Sequence, residues 1–368
     1  MGKRAGAVIR QYLAMRGTPF QPGPFHPNRP GLILPVAVDP AGLRGPTRKQ
    51  ARGPEWRRTS QGFYVPVTAD AHRPEQRIAE GSVILPSFGG VTGWAALRWF
   101  GGIWFDGLTP DGRTELPVAL ATGYDDVRRQ PGVLITQERL GPSELLMLDA
   151  ISLTTAQRAL CFEMRYAVSL REAVVAMDMA AYSDLASLEE AISYAAAHPG
   201  WTGIPQARKA LNLADENSWS PWETRMRLIW MLDAGFPKPL CNSPVFDRNG
   251  RHIGTPDIFD PEAGLVGEYD GALHLEGTQR SRDLRREDRF RSVGLDYFTI
   301  VSTDITNKFR AAERMDAARR RARWLPESQR EWTVQTPSWW QRSISVEQRR
   351  DLSSAERERY LRNRRRVS

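Results

Sequence analysis

Residues 218–325 alternate between helical and extended patterns, and this alternation constrains the fold more than any other feature of the chain. A capped helix runs from Ser220 to about Ala234, and extended segments separated by turns follow up to Asp270. The region then continues with a basic helix over 278–293, a buried strand over 295–301 and a last helix over 305–325. Strands that alternate with helices favour a sheet with helices packed on its faces. We therefore predict an α/β fold with a mixed sheet.

The first helix of this region carries clear end signals. Ser220 is a natural N-cap, and Pro221 suits the first helical position because the N–H that it lacks would have no partner there. Gly235 ends the helix. Glu223 lies in the first turn, where a carboxylate also suits the helix dipole. Its position is therefore explained either by helix stability or by a role in a site.

The segment 243–270 predicts a three-stranded antiparallel meander. Asn249-Gly250 is a strong hairpin signal between the first two strands. The second strand covers about 251–259, and a turn over 260–264 leads into the third strand, 265–270. Strands that are joined by such short turns pair in the antiparallel direction.

A four-residue loop in the second hairpin would place Asp257 opposite Glu268. Opposite residues point to the same face of a sheet, and Asp270 shares that face because it lies two residues beyond Glu268. Facing carboxylates destabilise a sheet unless a positive charge neutralises them, and Mg²⁺ prefers such oxygen ligands. We therefore predict a metal site at Asp257, Glu268 and Asp270. A loop one residue longer or shorter would break this register.

An ordered set of residues runs through the region: Ser220-Pro-Trp-Glu223, Asp257, Glu268-Tyr-Asp270-Gly271, His274, Asp283-x-x-Arg286 on the basic helix, and Gly294 before an apolar strand. This set resembles the very-short-patch-repair-like endonuclease domain of the PD-(D/E)XK nuclease superfamily over about residues 218–325. The resemblance implies a PD-(D/E)XK-type mixed sheet flanked by helices. It also implies hydrolysis of DNA phosphodiester bonds with Mg²⁺, or Mn²⁺ in its place, as cofactor.

The resemblance assigns a role to each acidic residue and to the histidine. Asp257 matches a metal-binding aspartate and Glu268 the second acidic ligand, while Asp270 occupies a position where the wider superfamily has lysine. Glu223 matches a helix glutamate that contacts metal-bound water in some members. His274 matches a histidine that is suited to protonate the leaving group. Since the usual lysine is absent, the resemblance does not identify the general base.

Basic charge is concentrated at the two ends of the chain. Residues 1–60 contain 11 Lys or Arg against two acids, whereas residues 61–278 contain 17 against 28. The codon bias of a GC-rich genome explains why Arg exceeds Lys, but it does not explain the acidic middle. This asymmetry indicates a polyanionic partner, most simply DNA. The arginines expected to contact the nucleic-acid backbone are Arg282, Arg286, Arg289, Arg48, Arg57 and Arg58.

The chain before residue 216 divides into three predicted segments. Residues 1–45 form a flexible basic arm. Residues 46–80 read as a short helix, a basic turn and a strand, an order that fits a winged helix and equally any basic helix–strand junction. Residues 81–215 read as a mixed and then helical α+β region with a regulatory or DNA-binding role. Its helices are predicted over 154–168, 170–182, 188–197 and 205–213.

This N-terminal region also carries a weaker family resemblance. The matching stretches are Arg57-Arg58 with Gly62-Phe-Tyr-Val-Pro66, Gly90-Val-Thr-Gly-Trp-Ala-Ala-Leu97, Thr154-Thr-Ala-Gln-Arg-Ala-Leu160 and the helix from Glu172 to Asp178. They are similar to the part that precedes such a nuclease domain in actinobacterial AbiEi-type antitoxin-like regulators. The resemblance favours a second function class, a DNA-binding regulator in which the nuclease fold is inactive. A toxin or defence nuclease that acts on RNA or foreign DNA is a third.

The basic tail, 326–368, contains Trp332, Trp339 and Trp340. Tryptophans in such a tail either stack on nucleic-acid bases or pin the tail onto a domain, and we favour pinning.

Several classes of protein lose support from the sequence. No window approaches 18 consecutive apolar residues, and the first residues lack the apolar core of a signal peptide. Cys161 and Cys241 are far apart, which excludes a disulfide scaffold. The common motifs of nucleotide-binding proteins, zinc proteases and serine hydrolases are absent. We expect a cytoplasmic protein without a membrane partner.

Overall fold

The computed structural model describes residues 22, 25–271, 277–362 and 364, with the backbone alone over 277–283. The described chain is a mixed α/β protein in which sheets are flanked by helices. It divides into two compact units, Met1–Ala159 and Leu160–Ser368. No helix within the described ranges is long and apolar enough to cross a membrane.

The first unit is built on two sheets. Its elements are β1 (Val36–Ala37), β2 (Trp56–Ser60), β3 (Phe63–Pro66), α1 (Pro74–Ser82), β4 (Gly90–Thr92), α2 (Gly93–Trp99), β5 (Val118–Ala121), β6 (Val133–Thr136), β7 (Leu145–Leu148) and β8 (Ile151–Thr154). One sheet has the order β1-β3-β2 and the other the order β6-β5-β4-β8-β7. Strand β4 leads directly into α2, whose helical turns begin at Gly93.

Residues 46–80 contain a short 3-10 helix, Gln50–Arg52, and then the β2–β3 hairpin and α1. The order of a turn of helix followed by strands is the predicted one, and the winged-helix fold itself stays a prediction. The part of the predicted arm that is described, residues 25–45, packs onto the unit. Arg29 donates to the carbonyl oxygen of Trp99 at 2.6 Å, and Leu32 is buried. These contacts correct the prediction of a flexible segment as far as residue 45.

The second unit begins with helices and continues with strands. Helix α3 (Ala156–Tyr166) spans the division between the units, and it is followed by α4 (Leu170–Tyr182), α5 (Leu188–Ala197), α6 (Ile204–Leu213), α7 (Pro221–Leu228), β9 (Leu240–Cys241), β10 (Val245–Asp247), β11 (His252–Gly254), β12 (Ile258–Asp260), β13 (Leu265–Asp270), α8 (Gly277–Ser292), β14 (Asp296–Val301), α9 (Ser302–Thr306), α10 (Lys308–Arg321), β15 (Trp332–Thr333), α11 (Val346–Arg350) and α12 (Ser354–Tyr360). The predicted bounds of α4 and α5 are confirmed, because Ser169 and Ser187 cap these helices with their side chains.

The central sheet of the second unit has the order β14-β13-β12-β9. β13 and β14 are parallel and are connected through α8, whereas β12 pairs antiparallel with both β13 and β9. Both faces of the sheet are buried, since alternate residues enter different apolar clusters. Ile258 and Leu265 pack on the side of α7, and Phe259 and Val266 pack with Phe290 of α8 on the other side.

The predicted three-stranded meander is wrong. β10 pairs with β11 and β15 in a separate sheet, while β12 belongs to the central sheet. The predicted second strand, 251–259, is therefore two strands in two sheets. Thr255-Pro256 separates them, because proline has no N–H to donate to a ladder.

The last predicted helix, 305–325, is also divided. Asn307 lies between α9 and α10, and its side chain accepts a hydrogen bond from the N–H of Arg310 as the cap of α10. Because α10 begins at Lys308, its side chains point in other directions than they would in one unbroken helix from residue 305. Phe309 is 80% exposed, whereas Ile305 and Ala312 are buried.

The tail is pinned by two of its tryptophans. Trp332 in β15 is buried against Phe259, with 5.1 Å between ring centroids. Trp340 packs on His252 at 4.7 Å. Trp339 is 60% exposed, although its ring contacts Phe246 edge-on at 6.0 Å. The described contacts therefore favour pinning over base stacking for Trp332 and Trp340.

Gly267 in β13 allows the close approach of two neighbouring strands. A methyl group at this position would lie 2.8 Å from Ile258 Cγ1 and even closer to the ring of Phe298. We expect Gly267→Ala to lower the free energy of unfolding by about 1–3 kcal/mol through overpacking, measured by chemical denaturation. Gly200→Ala is the control, because its methyl would meet no atom within 4 Å. Equal stability of the two variants would contradict this account of the sheet.

Candidate carboxylate site

Helix α7 presents Glu223 at the edge of the central sheet. Ser220 caps the helix by accepting a hydrogen bond from the N–H of Glu223 at 3.2 Å, as the sequence predicts. The neighbouring Trp222 stacks on Tyr269 of β13 with 5.8 Å between centroids and 9° between planes. This contact fixes the start of α7 against the strand that carries Glu268.

The carboxylate of Glu223 is 2% exposed and is held by two donors. Its Oε2 accepts hydrogen bonds from the backbone N–H of Trp219 at 2.8 Å and from Asn242 Nδ2 at 2.7 Å. Sequence reasoning missed Asn242. An asparagine after a strand is a signal for a left-handed turn, and Asn242 has φ of 42°. Nothing in the sequence indicates that its amide reaches Glu223.

The β12–β13 hairpin brings Asp257 beside Glu268. The strands pair with Ile258 opposite Gly267, which is the register that a four-residue loop predicts. Asp257 lies just before β12, and its Oδ2 accepts a hydrogen bond from the backbone N–H of Tyr269 at 2.7 Å. The two acids therefore sit at the same end of neighbouring strands, on the face covered by α8.

Arg286 of α8 pairs with Glu268 across this face. The Nη2 atom of Arg286 is 2.8 Å from Glu268 Oε1, and the guanidinium also donates to the carbonyl oxygen of Thr255. The contact with Glu268 is a close ion pair between a guanidinium and a carboxylate. The Glu268 side chain is 13% exposed and that of Arg286 34%.

All three carboxyl groups resist ionisation. Burial, and then the charge of Asp257, raise the pKa of Glu223 to about 8. The same two causes raise the pKa of Glu268 well above its usual range. Burial also raises the pKa of Asp257, although the N–H of Tyr269 and the charge of Arg286 work in the opposite direction. Shifts of this kind mark acids that share one low-dielectric space with too little positive charge.

The other predicted residues differ in what the structure describes of them. Asp270 follows Glu268 by two residues and shares its face of β13. His274 and the side chain of Arg282 lie outside the described residues. Arg289 is exposed on α8. Arg286 is paired with Glu268, and its predicted contact with the DNA backbone stays a prediction.

The predicted arginines of the first unit differ in their surroundings. Arg48 and Arg58 are exposed. Arg57 makes two hydrogen bonds to the Glu80 carboxylate, at 2.6 and 2.8 Å. That carboxylate already neutralises Arg57, so Arg48 and Arg58 are the better placed of the three to meet a phosphate.

The carboxylate oxygens of the cluster suit a hard cation, but only two of the predicted ligands, Asp257 and Glu268, are placed to hold it in the described part of the chain. Two buried polar atoms of residues that contact these acids, Arg286 Nε and Asn242 Oδ1, have no hydrogen-bond partner among the described residues. Within the described ranges, no three His, Cys, Asp or Glu side chains are grouped so that they could hold a metal ion. The predicted set Asp257, Glu268 and Asp270 is therefore not assembled. Mg²⁺ needs only one or two carboxylates besides waters and substrate phosphates, so Asp257 and Glu268 fit as a pair.

Comparisons with protein-family models, with curated proteins and with solved structures found no match for this chain.

Proposed function

We propose that this protein is a metal-dependent endonuclease that hydrolyses phosphodiester bonds in DNA. The observation that carries the proposal is the convergence of Glu223 on α7 with Asp257 and Glu268, whose pKa values are all raised, next to Arg286 of the arginine-rich helix α8. Acids that are held together against their own repulsion are typical of functional sites, because stability alone gains nothing from the arrangement. The central sheet with its parallel β13–α8–β14 connection supports the proposed relation to the PD-(D/E)XK superfamily.

Asp257 and Glu268 would hold Mg²⁺, which when bound polarises a phosphate and lowers the pKa of a coordinated water. Glu223 would take the proton of the attacking water on Oε1, since both described hydrogen bonds reach its Oε2. A pKa of about 8 suits a base that works near neutral pH. Glu223 would then be the general base, which the family resemblance does not identify because the usual lysine is absent. Asp270 and His274 remain proposals from the resemblance, as orienting group and leaving-group acid.

The proposal is tested with Asp257→Asn and Glu268→Gln, which remove charge at nearly constant volume. With supercoiled and single-stranded DNA in Mg²⁺, we expect each variant to cut at least about 100-fold more slowly. Glu262→Gln is the matched control, because Glu262 lies in the same hairpin loop and is 67% exposed. Parent-like cutting by both variants would refute the proposed site, provided that thermal melts show all proteins folded.

A second candidate is a DNA-binding regulator with an inactive nuclease fold. It is favoured by the ion pair between Arg286 and Glu268, which already supplies one positive charge to the acids. It predicts salt-sensitive DNA binding that is indifferent to Mg²⁺ and to both carboxylate substitutions. Binding without cleavage under Mg²⁺ or Mn²⁺ would favour this candidate. An RNA substrate in the same assay tests the toxin or defence function.

A further inference from the structure

Arg286 occupies the place where the acids of the site need positive charge. Its Nη2 lies 2.8 Å from Glu268 Oε1. Although burial works against its charge, the carboxylates of Glu268 and Asp257 raise the pKa of Arg286. Arg286 thus supplies positive charge to two of the three predicted metal ligands, Glu268 and Asp257. A divalent cation between Asp257 and Glu268 would have to compete with it.

The polar atoms of Arg286 are only partly satisfied among the described residues. Its Nη2 donates to Thr255 and lies 2.8 Å from Glu268 Oε1, but its Nε is buried without a hydrogen-bond partner in the described part of the chain. An unpaired buried donor costs free energy that a move toward solvent or an anion would recover. The side chain is also 34% exposed, so it has a path out of the site. Arginine is well suited to a phosphate because its planar fork matches two phosphate oxygens.

We propose that Arg286 is a displaceable counter-charge, which neutralises Glu268 when no metal is bound and pairs with the substrate phosphate when a divalent cation takes its place. This inference rests on the proposed function and adds a regulation of the same site. It explains why Glu268, a proposed metal ligand, is paired with an arginine in the described structure. Arg286 should therefore have opposite effects on two measurable affinities. It lowers the affinity for the metal because it competes for Glu268, and it raises the affinity for DNA because it binds a phosphate.

The test is the effect of Arg286→Met on metal binding and on DNA binding, measured separately in the full chain. Mn²⁺ binding without DNA is followed by titration calorimetry, and binding of a labelled DNA duplex is followed by fluorescence anisotropy. We expect Arg286→Met to bind Mn²⁺ about 10-fold more tightly, because a competing unit charge at contact distance is removed. We expect it to bind DNA in the presence of Ca²⁺ about 10-fold more weakly. Arg285→Met is the control, since Arg285 is exposed on the same helix.

The outcomes separate this inference from the proposed function. If the parent binds Mn²⁺ and cuts DNA but Arg286→Met binds Mn²⁺ no more tightly than the parent, the counter-charge role is overturned and the nuclease stands. If neither protein binds Mn²⁺ nor cuts DNA, both proposals are overturned. Arg286→Lys keeps the charge, and we expect its Mn²⁺ affinity to remain near the parent value. Arg286→Lys also tests the proposal if Arg286→Met fails to fold. Tighter Mn²⁺ binding by Arg286→Lys than by the parent would contradict competition by charge.

Discussion

Asp178→Asn is expected to lower the free energy of unfolding by about 3–5 kcal/mol, because it leaves a buried arginine with only the more distant carboxylate of Asp215, 3.7 Å away, as counter-charge. Asp178 on α4 and Arg227 on α7 are both fully buried, and Arg227 Nη2 lies 2.6 Å from Asp178 Oδ2. The same carboxylate accepts hydrogen bonds from Thr224 Oγ1 and from the backbone N–H of Asp215, each at 2.8 Å. Burial raises the pKa of Asp178 to about 6 in spite of Arg227. Urea unfolding near pH 7.5 measures the loss.

Two further variants show whether the charge itself is responsible. Asp178→Leu combined with Arg227→Met removes both charges, and we expect it to recover most of the stability lost in Asp178→Asn. Asp316→Ala removes the partner of Arg320 in an exposed pair, and we expect a loss below about 1 kcal/mol. If Asp178→Asn and Asp316→Ala lower the free energy of unfolding by similar amounts, the buried ion pair contributes no more to stability than an exposed one, and the prediction is wrong.

The buried pair also bears on the candidate site, because α7 carries both Arg227 and Glu223. Arg227 Nη1 lies 3.9 Å from the thiol of Cys241, and Cys241 directly precedes the asparagine that binds Glu223. The pair thus fixes the helix and the strand that together hold Glu223. Asp178 lies on a helix that the sequence predicts, but no local signal indicated that its carboxylate is fully buried.

The free energy of unfolding is expected to fall by about 3–5 kcal/mol as the pH rises from about 4.5 to about 8, through Glu223 alone. The folded-state pKa of Glu223 is about 8, whereas its ordinary value is 4.5. Below the lower value both states hold the proton. Between the two values the folded state keeps a proton that the unfolded state has lost, so folding becomes less favourable as the pH rises. Above a pH of about 8 both states have lost the proton, so the free energy of unfolding falls no further through Glu223.

This pH dependence is measured by chemical denaturation at about pH 5.5 and pH 8.5. Glu223→Gln carries no titrating group, so the difference in stability between the two pH values should be smaller in this variant by the amount attributed to Glu223. Glu189→Gln is the control, because Glu189 also lies in the first turn of a helix but is exposed. An unchanged pH dependence in Glu223→Gln would mean that the carboxyl is not held as the structure shows.

Local signals predicted much of the second unit. Ser220 and Pro221 fixed the start of α7, and the helices over 170–182 and 188–197 appear with their predicted bounds. The four-residue loop predicted the register of the β12–β13 hairpin. These features depend on residues a few positions apart, whose steric and hydrogen-bonding preferences act without the rest of the chain. That independence is why sequence reasoning reached them.

Long-range contacts account for what sequence reasoning missed. The strand over 251–259 was predicted as one element, and its division between two sheets depends on β15, about 75 residues further along the chain, as a partner for β10. Asn242 reaches Glu223, and Arg286 turns to Glu268, only because α7, β9 and α8 pack around one end of the sheet. No local pattern encodes such neighbours.

By itself, the sequence determined which acids stand at the ends of which elements, because caps, turns and strand alternation are local. Only the tertiary structure decided which of these acids share one buried space and which positively charged residue pairs with them. Burial and mutual repulsion raise the pKa values of Glu223, Asp257 and Glu268 only after distant elements exclude water from around them. For the same reason Arg286 became a neighbour of these acids, although the sequence presents it as one arginine among several on a basic helix.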